Sequence, residues 1–472
     1  MVSVRMCAVG GVWAAWAVWV VLTWCPTEGY NLSPDHYRTM TGPEDTHFGF
    51  SVALWSDAAA YKRAVVGAPR GRNSTYGQGD VPLGNIFFCE VVGEVVCLAD
   101  TRLPTVSGDD KSEAALAADK TTGFGVKTYG MGFGHSLATL KQNVSSLAAC
   151  APRYPRVEPK SIQTRGACFV LTQPGQQPHL LLPYNGRVPK VDSVQDAMLG
   201  FSAALSDLGN SLIMGGPNAF TGEGMLVNKP LDGSVHSLNR DKKTPDTPTL
   251  TLSHTYEGWS VVLGKFDSGS TYFIATSSVN YGNYTGKISF YPKKMLSAVT
   301  PLYILYGQEM GAQFGYCLGS ADVDGDGVDD LLVGAPLARA GDKLLPDAGK
   351  IFLYYSPLDA DKLPPSQVSG TDAWGRFGAA VTSLGDVDRD GYDDVAVAAP
   401  YAGRNRGGVV YIFNGGAGGL RTPHSQMIEA SAFSEGLRGF GFSLDGGLDM
   451  DDNGYSDLVI GAAESNTALF IR

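Results

Sequence analysis

An all-β fold, a seven-bladed β-propeller with four-stranded blades, is what this sequence predicts, and three observations carry the prediction. First, one unit recurs along the chain: an aromatic or apolar residue around a glycine, an alternating strand, then a small-residue strand ending near Ala-Pro. Second, each unit holds four short apolar, β-branched or aromatic runs punctuated by Gly, Pro, Asn and Asp. Third, 60 of the 472 residues are glycine and only 18% are charged, which suits a turn-rich β protein better than a helical one.

In order, the units are HFGFSVAL with VVGAP (Gly49, Pro69), GFGHSLAT with AACAP (Gly134, Pro152) and LGFSAAL with IMGGP (Gly200, Pro217). EGWSVVL with FIATSS (Gly258) is a degenerate fourth. QFGYCLGS with LLVGAP (Gly315, Pro336), RFGAAVTS with VAVAAP (Gly378, Pro400) and GFGFSLDG with LVIGAA (Gly441, Ala462) complete the series. The last three lie 63 residues apart, whereas earlier spacings run from 57 to 85, as loop insertions would cause. In the sixth unit GAAVTSLG, DVAVAAP and GGVVYIFN read as three strands, with a fourth expected near Ser425–Ser431. Small residues on the inner strands let blades crowd around an axis; a β-helix would need much shorter repeats. The chain finishes in a lone strand, Ala468–Arg472, so the strand-like start of the mature chain is expected to complete the seventh blade and cover its edge. One closed domain over residues 30–472 follows.

Ahead of it, Arg5, the apolar stretch Val12–Trp24 and the small or polar Thr27, Glu28 and Gly29 read as a secretory signal over residues 1–29. The apolar stretch is shorter than the roughly 20 residues a bilayer span needs. Secretion makes the cysteines legible. Cys7 and Cys25 leave with the signal, Cys89 and Cys97 flank a short hairpin, and Cys150 and Cys168 bracket a Pro- and Arg-rich loop. Two bridges are expected from these pairs, leaving Cys317 as a buried thiol. Asn31, Asn73, Asn143 and Asn283 head N-x-S/T sequons, the signature of a glycosylated surface. A formal charge of −11 without a basic run argues against a nucleic-acid partner.

Much of that acidity sits in three loops within the fifth, sixth and seventh units. They place carboxylates at Asp322, Asp324, Asp326 and Asp330, then at Asp386, Asp388, Asp390 and Asp394, and finally at Asp449, Asp451 and Asp457, with Asn453 at the fifth position. Carboxylates at positions 1, 3, 5 and 9, with glycine at 6, converge hard oxygen ligands on one point, as calcium requires. Position 7 offers a backbone carbonyl, from Val328, Tyr392 or Tyr455. These loops are not EF-hands, since position 12 is Val333, Val397 or Ile460 and an apolar strand follows. Three calcium ions are expected, the third held somewhat more weakly because Asn453 sheds a charge. Their role is structural, bracing hairpins whose bunched carboxylates otherwise repel.

The residue after each unit's glycine reads Phe50, His135, Phe201, Trp259, Tyr316, Ala379 and Phe442. Equivalent positions on inner strands point the same way, so six aromatic-type side chains should ring the axis. No H-E-x-x-H or G-x-S-x-G motif appears and the histidines are scattered, so no enzyme is expected.

Seven FG…GAP units with D-x-D-x-D-G-x-x-D loops in the last three, and Tyr30-Asn31-Leu32 after a signal, resemble the head of an integrin alpha subunit. The resemblance implies an extracellular propeller that pairs with an integrin beta subunit, its aromatic ring receiving a basic side chain of that partner. It implies calcium-dependent adhesion to matrix or cell-surface ligands, with leg, transmembrane and tail regions lying outside these residues. No domain-sized insert separates the second and third units, so the chain resembles the subunits without an inserted ligand-binding domain. Gly264-Lys265-Phe266 stands where a fourth calcium loop occurs in the family, a departure reminiscent of laminin-binding members. Members that read Arg-Gly-Asp carry acids before the fourth aromatic-Gly motif. Here Ser253 and His254 stand in that stretch, which favours a laminin-type ligand. Arg153, Arg156, Lys160 and Arg165, in the Cys150–Cys168 loop, and Phe220 are the candidate ligand contacts. The alternative reading is a secreted calcium-stabilised propeller lectin or a hydrolase-associated propeller.

Overall fold

The computed structural model describes residues 32–472, apart from 57–61, 72–83, 100–131, 141–145, 159–160, 172–178, 183–195, 207–208, 232–235, 238–253, 270, 294–300, 342–343 and 358–364. The signal segment, Asn31, Asn73 and Asn143 lie outside the described residues, as do the side chains of Arg156 and Lys160.

Seven four-stranded antiparallel sheets follow one another as the blades of a propeller. Blade 1 runs from the inner strand Ser51–Ser56 through Lys62–Ala68 and Asn85–Glu90 to Cys97–Ala99. Blade 2 uses Ser136–Thr139, Leu147–Ala151, Ala167–Leu171 and His179–Leu181, and a separate hairpin, Pro155–Glu158 with Ser161–Thr164, grows out of it. Blades 3 and 4 start at Ser202–Leu205 and Glu257–Gly264, blades 5 and 6 at Leu318–Ala321 and Ala380–Gly385. The fourth strand of blade 6 is Gln426–Glu429. Blade 7 takes Phe440–Leu448, Asp457–Ala462 and Thr467–Ile471 from the end of the chain and Tyr37–Thr41 from its beginning, in register from Tyr37↔Ile471 to Thr41↔Thr467. That exchange covers the edge of Thr467–Ile471 and ties the two ends of the ring together.

In blades 2 to 7 the second strand is buried at every residue, and in blades 5 to 7 its composition says why. Asp330–Ala335, Asp394–Ala399 and Asp457–Ala462 are buried at all six residues. A strand with neighbours on both edges and apolar blades on both faces reads as an unbroken apolar run rather than an alternating one. Between blades the cores are apolar clusters, such as Leu384, Ala396, Ile412, Phe440, Leu458 and Ile460 between blades 6 and 7.

At the hub the blades are also stapled by hydrogen bonds with one repeating geometry. In blades 1, 2, 3 and 7 the residue two past the unit's glycine donates to the next unit's glycine carbonyl: Ser51 to Gly134 at 2.8 Å, Ser136 to Gly200 at 2.8 Å, Ser202 to Gly258 at 2.9 Å and Ser443 to Gly49 at 2.9 Å. Cys317 holds this position in blade 5, its thiol 3.1 Å from the Gly378 carbonyl. Burial pushes that thiol up to about 12, so the lone cysteine serves as a weak hydroxyl and not as a nucleophile. Glycine in the neighbouring strand makes room: a Cβ at Gly67, Gly334 or Gly461 would stand within 2.1 Å of the accepting carbonyl.

Candidate metal centres and hub surface

The two disulfides join Cys89 to Cys97 and Cys150 to Cys168, and Cys317 is free. Both bridges link adjacent strands, at the pairings Cys89↔Cys97 and Cys150↔Cys168.

Each acidic loop connects the first and second strands of its blade and is built around a buried apolar anchor at its second residue, Val323, Val387 or Met450. The anchor's amide donates to the ninth-position carboxylate, from Val323 to Asp330 at 3.1 Å, Val387 to Asp394 at 2.9 Å and Met450 to Asp457 at 2.6 Å. The second oxygen of Asp330 accepts from Ser356 N at 2.8 Å, and that of Asp394 from Gly415 N at 2.9 Å. In blade 7 that second oxygen, Asp457 Oδ1, is buried without a hydrogen-bond partner. First-position carboxylates hold the loop turn: Asp322 accepts from Asp326 and Gly327, Asp386 from Asp390 and Gly391, Asp449 from Asn453 and Gly454.

This folding gathers positions 1, 3 and 9. Asp322, Asp324 and Asp330 offer oxygens within 4.8 Å of one another, as do Asp386, Asp388 and Asp394, and Asp449, Asp451 and Asp457. Position 5 also shapes the turn. Asp326, Asp390 and Asn453 cap the amides of Val328, Tyr392 and Tyr455 at 2.8, 3.2 and 2.7 Å. Burial is the leading cause that pushes Asp330 up to about 8 and Asp394 and Asp457 to about 7, with nearby carboxylates adding to it. Clusters of this kind, each with one buried carboxylate beside two that face solvent at least in part, and one with an orphaned oxygen, fit a hard divalent cation that neutralises them.

The loops also touch one another around the ring. Asp393 N donates to Asp322 O at 3.0 Å and Gly416 N to Val323 O at 2.9 Å, joining the blade 5 and blade 6 loops. Arg389 of the blade 6 loop donates to Gly454 O of the blade 7 loop and stacks on Tyr455, 4.2 Å from the ring centroid. Lys62 of blade 1 donates to Asp449 O at 2.8 Å. Blade 4 meets the first loop through Lys265 N and Asp329 Oδ2 at 2.7 Å. None of these contacts was legible in the motifs, because the partners lie 64 residues or more apart.

At the hub the aromatic-type side chains stand in file. Ring centroids are 5.1 Å apart for Phe442 and Phe50, 4.8 Å for Phe50 and His135, 4.8 Å for His135 and Phe201, 4.9 Å for Phe201 and Trp259, and 5.9 Å for Trp259 and Tyr316. Ala379 interrupts the file between Tyr316 and Phe442. All six rings are half-buried, so they line an open surface rather than fill a core. Burial, and after it the charge of Arg153, lowers His135 to about 4, leaving a neutral imidazole in the file. Arg153 is exposed, Arg156 lies in the blade 2 hairpin, and Phe220 is half-buried against the cluster between blades 2 and 3. His254 and Asn283 are exposed, both with positive φ. Among the described residues no helix is long and apolar enough to cross a membrane.

The FG-GAP repeat family model matches residues 314–354 and 377–413. The chain is 32% identical to mouse integrin alpha-IIb over 93% of its own length and 43% of that protein's. For human integrin alpha-IIb the figures are 31%, 99% and 46%, and for chicken integrin alpha-8 they are 30%, 95% and 43%. The chain therefore spans less than half the length of these relatives. Its FG-GAP repeats, and identity near 30% along almost all of the chain, identify it with the head region of the integrin alpha subunits.

Proposed function

We propose that this chain is the ligand-binding head of an adhesion receptor, held by calcium and completed by an integrin beta subunit. The observation that carries the pairing is the file of six half-buried rings at the hub. Tilted by 40° to 50° to their neighbours around an open axis, they present π-surface to a cation and no acceptor strong enough to hold a small ion. A basic side chain from a partner subunit suits that surface, and the relatives' names support an integrin beta subunit as the source. The neutral His135 adds no competing charge.

Three calcium ions occupy the acidic loops, each held by the gathered carboxylates and the fifth-position Asp326, Asp390 or Asn453, with the carbonyl of Val328, Tyr392 or Tyr455. The bound ions supply structural charge neutralisation; the chain's own residues supply the rest. Asp330, Asp394 and Asp457 fasten each loop to its anchor amide, and Asp322, Asp386 and Asp449 set the turn. Residues 1–29 direct secretion and are removed, leaving 30–472 as the propeller, and Asn31, Asn73, Asn143 and Asn283 carry glycans on the extracellular side of the plasma membrane. The ligand is a matrix or cell-surface protein of laminin type rather than an Arg-Gly-Asp protein. His254, exposed before the fourth unit, provides no carboxylate for a ligand arginine, while Arg153 with Arg156 offers basic charge to an acidic ligand.

Co-expression with integrin beta heads tests the reading. One beta head is expected to co-purify with the chain, Phe201→Ala with Trp259→Ala to abolish the pairing, and the pair to bind laminin in calcium but not in a chelator. A chain that stays monomeric with every beta head and binds a glycan array alone supports the lectin alternative; strong Arg-Gly-Asp-dependent adhesion contradicts the ligand class.

A further inference from the structure

We propose that Arg389 couples the second and third acidic loops, so that calcium occupies those two sites cooperatively; this rests on the calcium reading above. Arg389 is the fourth residue of the blade 6 loop, between Asp388 and Asp390, with φ +61. From that left-handed position its side chain leaves its own acidic loop and crosses to the next. There the guanidinium donates to the carbonyl of Gly454 and lies over the ring of Tyr455, 4.2 Å from the centroid. Gly454 and Tyr455 are the sixth and seventh residues of the blade 7 loop: the turn glycine and the residue whose carbonyl faces the ion. Gly454 has φ +86 and no Cβ, and a Cβ there would stand 2.4 Å from the guanidinium.

The coupling follows from what an open loop does. Without a cation, Asp386, Asp388, Asp390 and Asp394 repel one another and the blade 6 loop resists closing. Arg389 then has its own flanking carboxylates within reach, and no fixed backbone from which to span the gap. A cation in the blade 6 loop engages those carboxylates, sets the left-handed turn and sends the guanidinium to Gly454. The blade 7 loop is thereby partly ordered before its own ion arrives, and ordering already accomplished need not be repeated on binding. Repulsion between the two ions acts in the opposite direction, but solvent screens it at these exposed loops. The blade 5 and blade 6 loops are linked differently, by backbone contacts from Asp393 N to Asp322 O and from Gly416 N to Val323 O, with the Asp393 carboxylate accepting from Asp322 N at 3.3 Å, and no guanidinium crosses between them among the described residues.

Terbium serves as the probe ion, in a Tyr392→Phe background where Tyr455 is the sensitiser beside the blade 7 site. Disabling the blade 6 site with Asp386→Asn and Asp390→Asn is expected to weaken terbium binding at the blade 7 site roughly fivefold to tenfold. With Arg389→Leu already present, the same disabling changes that affinity less than twofold. Linkage requires the reciprocal arm to give the same factor: Asp449→Asn, with Tyr392 restored and Tyr455→Phe, read at the blade 6 site. A thermal melt of each variant confirms that it is folded, and Arg389→Lys, which keeps the charge but loses the planar fork, should recover only part of the coupling. A blade 7 affinity indifferent to the blade 6 site, or a dependence that survives Arg389→Leu in full, overturns the proposal. Absence of sensitised emission and of bound terbium in the parent chain overturns the calcium reading itself, and the coupling with it.

Discussion

Blades 4 and 7 make the same turn between their first two strands by different means. In blade 7 the turn is the acidic loop, with Met450 buried as anchor and Asp449, Asp451 and Asp457 gathered beside it. In blade 4 it is Lys265-Phe266-Asp267, with Phe266 buried in the anchor position and packed at 5.4 Å, edge to face, on Phe290. Lys265 stands where the first carboxylate would be, its ammonium 5.6 Å from the Tyr272 ring and its amide held by Asp329. The apolar anchor belongs to the blade and the carboxylates belong to the ion. The same contrast extends to the seams. Between blades 6 and 7 the packing is apolar throughout the cluster that includes Leu384, Phe440 and Ile460. Between blades 3 and 4 the cluster shrinks to Ile213, Leu226, Val261, Ile274 and Tyr291. On the same strand faces sit Asn228, Thr276 and Ser278, each buried with a side-chain oxygen lacking a partner. The acidic-loop half carries the gathered carboxylates and a broad apolar seam; the other half carries longer insertions and a polar seam.

The largest effect should come from breaking the braced half at its fastening. Asp394→Ala leaves the Val387 and Gly415 amides without an acceptor and dismantles the cluster, at a cost of about 2–5 kcal/mol in urea unfolding with calcium present. Asp267→Ala, in the turn without a cluster, should cost less than about 0.5 kcal/mol. Equal losses would erase the distinction between the two turns.

The seams come next. Phe440→Ala should cost about 3–5 kcal/mol, whereas Thr276→Val, which replaces a buried partnerless hydroxyl by a methyl of the same shape, should be neutral or stabilising in thermal melts. A loss above about 1 kcal/mol for Thr276→Val would mean that its hydroxyl is well satisfied, as internal water can do.

Acid should act at the hub. His135 titrates near 4 when folded against 6.5 when free, so between those values the unfolded chain binds more protons. Stability from this group is complete above about pH 6.5 and is lost as pH falls toward 4, by roughly 2–3 kcal/mol. His135→Asn should flatten that limb of the stability curve. Smallest of all, Cys317→Ser restores the hydroxyl found at Ser51, Ser136, Ser202 and Ser443, and should move stability by less than about 1 kcal/mol.

The units, their strands and the loop motif were legible because each is local: a glycine, a run of alternating residues, an Asp every second position. The disulfides were legible from spacing and compartment, and the hub file from one recurring position. The inter-blade contacts were not, since Ser51 to Gly134 or Arg389 to Gly454 depends on how closed the ring is, which no motif encodes. Position 5 illustrates a subtler limit. Asp326 has the residue type of a ligand, and its carboxylate also caps the Val328 amide, a turn contact that the motif does not spell out. The polar seam did leave a trace, in the degenerate FIATSS of the fourth unit, where Thr276 and Ser278 stand in place of apolar residues.

The central claim, that the three gathered clusters are calcium sites bracing the propeller, is tested most directly by calcium stoichiometry in equilibrium dialysis. The account predicts three ions per chain at saturation, and two after Asp457→Asn; a saturated chain that holds none, or that holds the same number after Asp457→Asn, would contradict it.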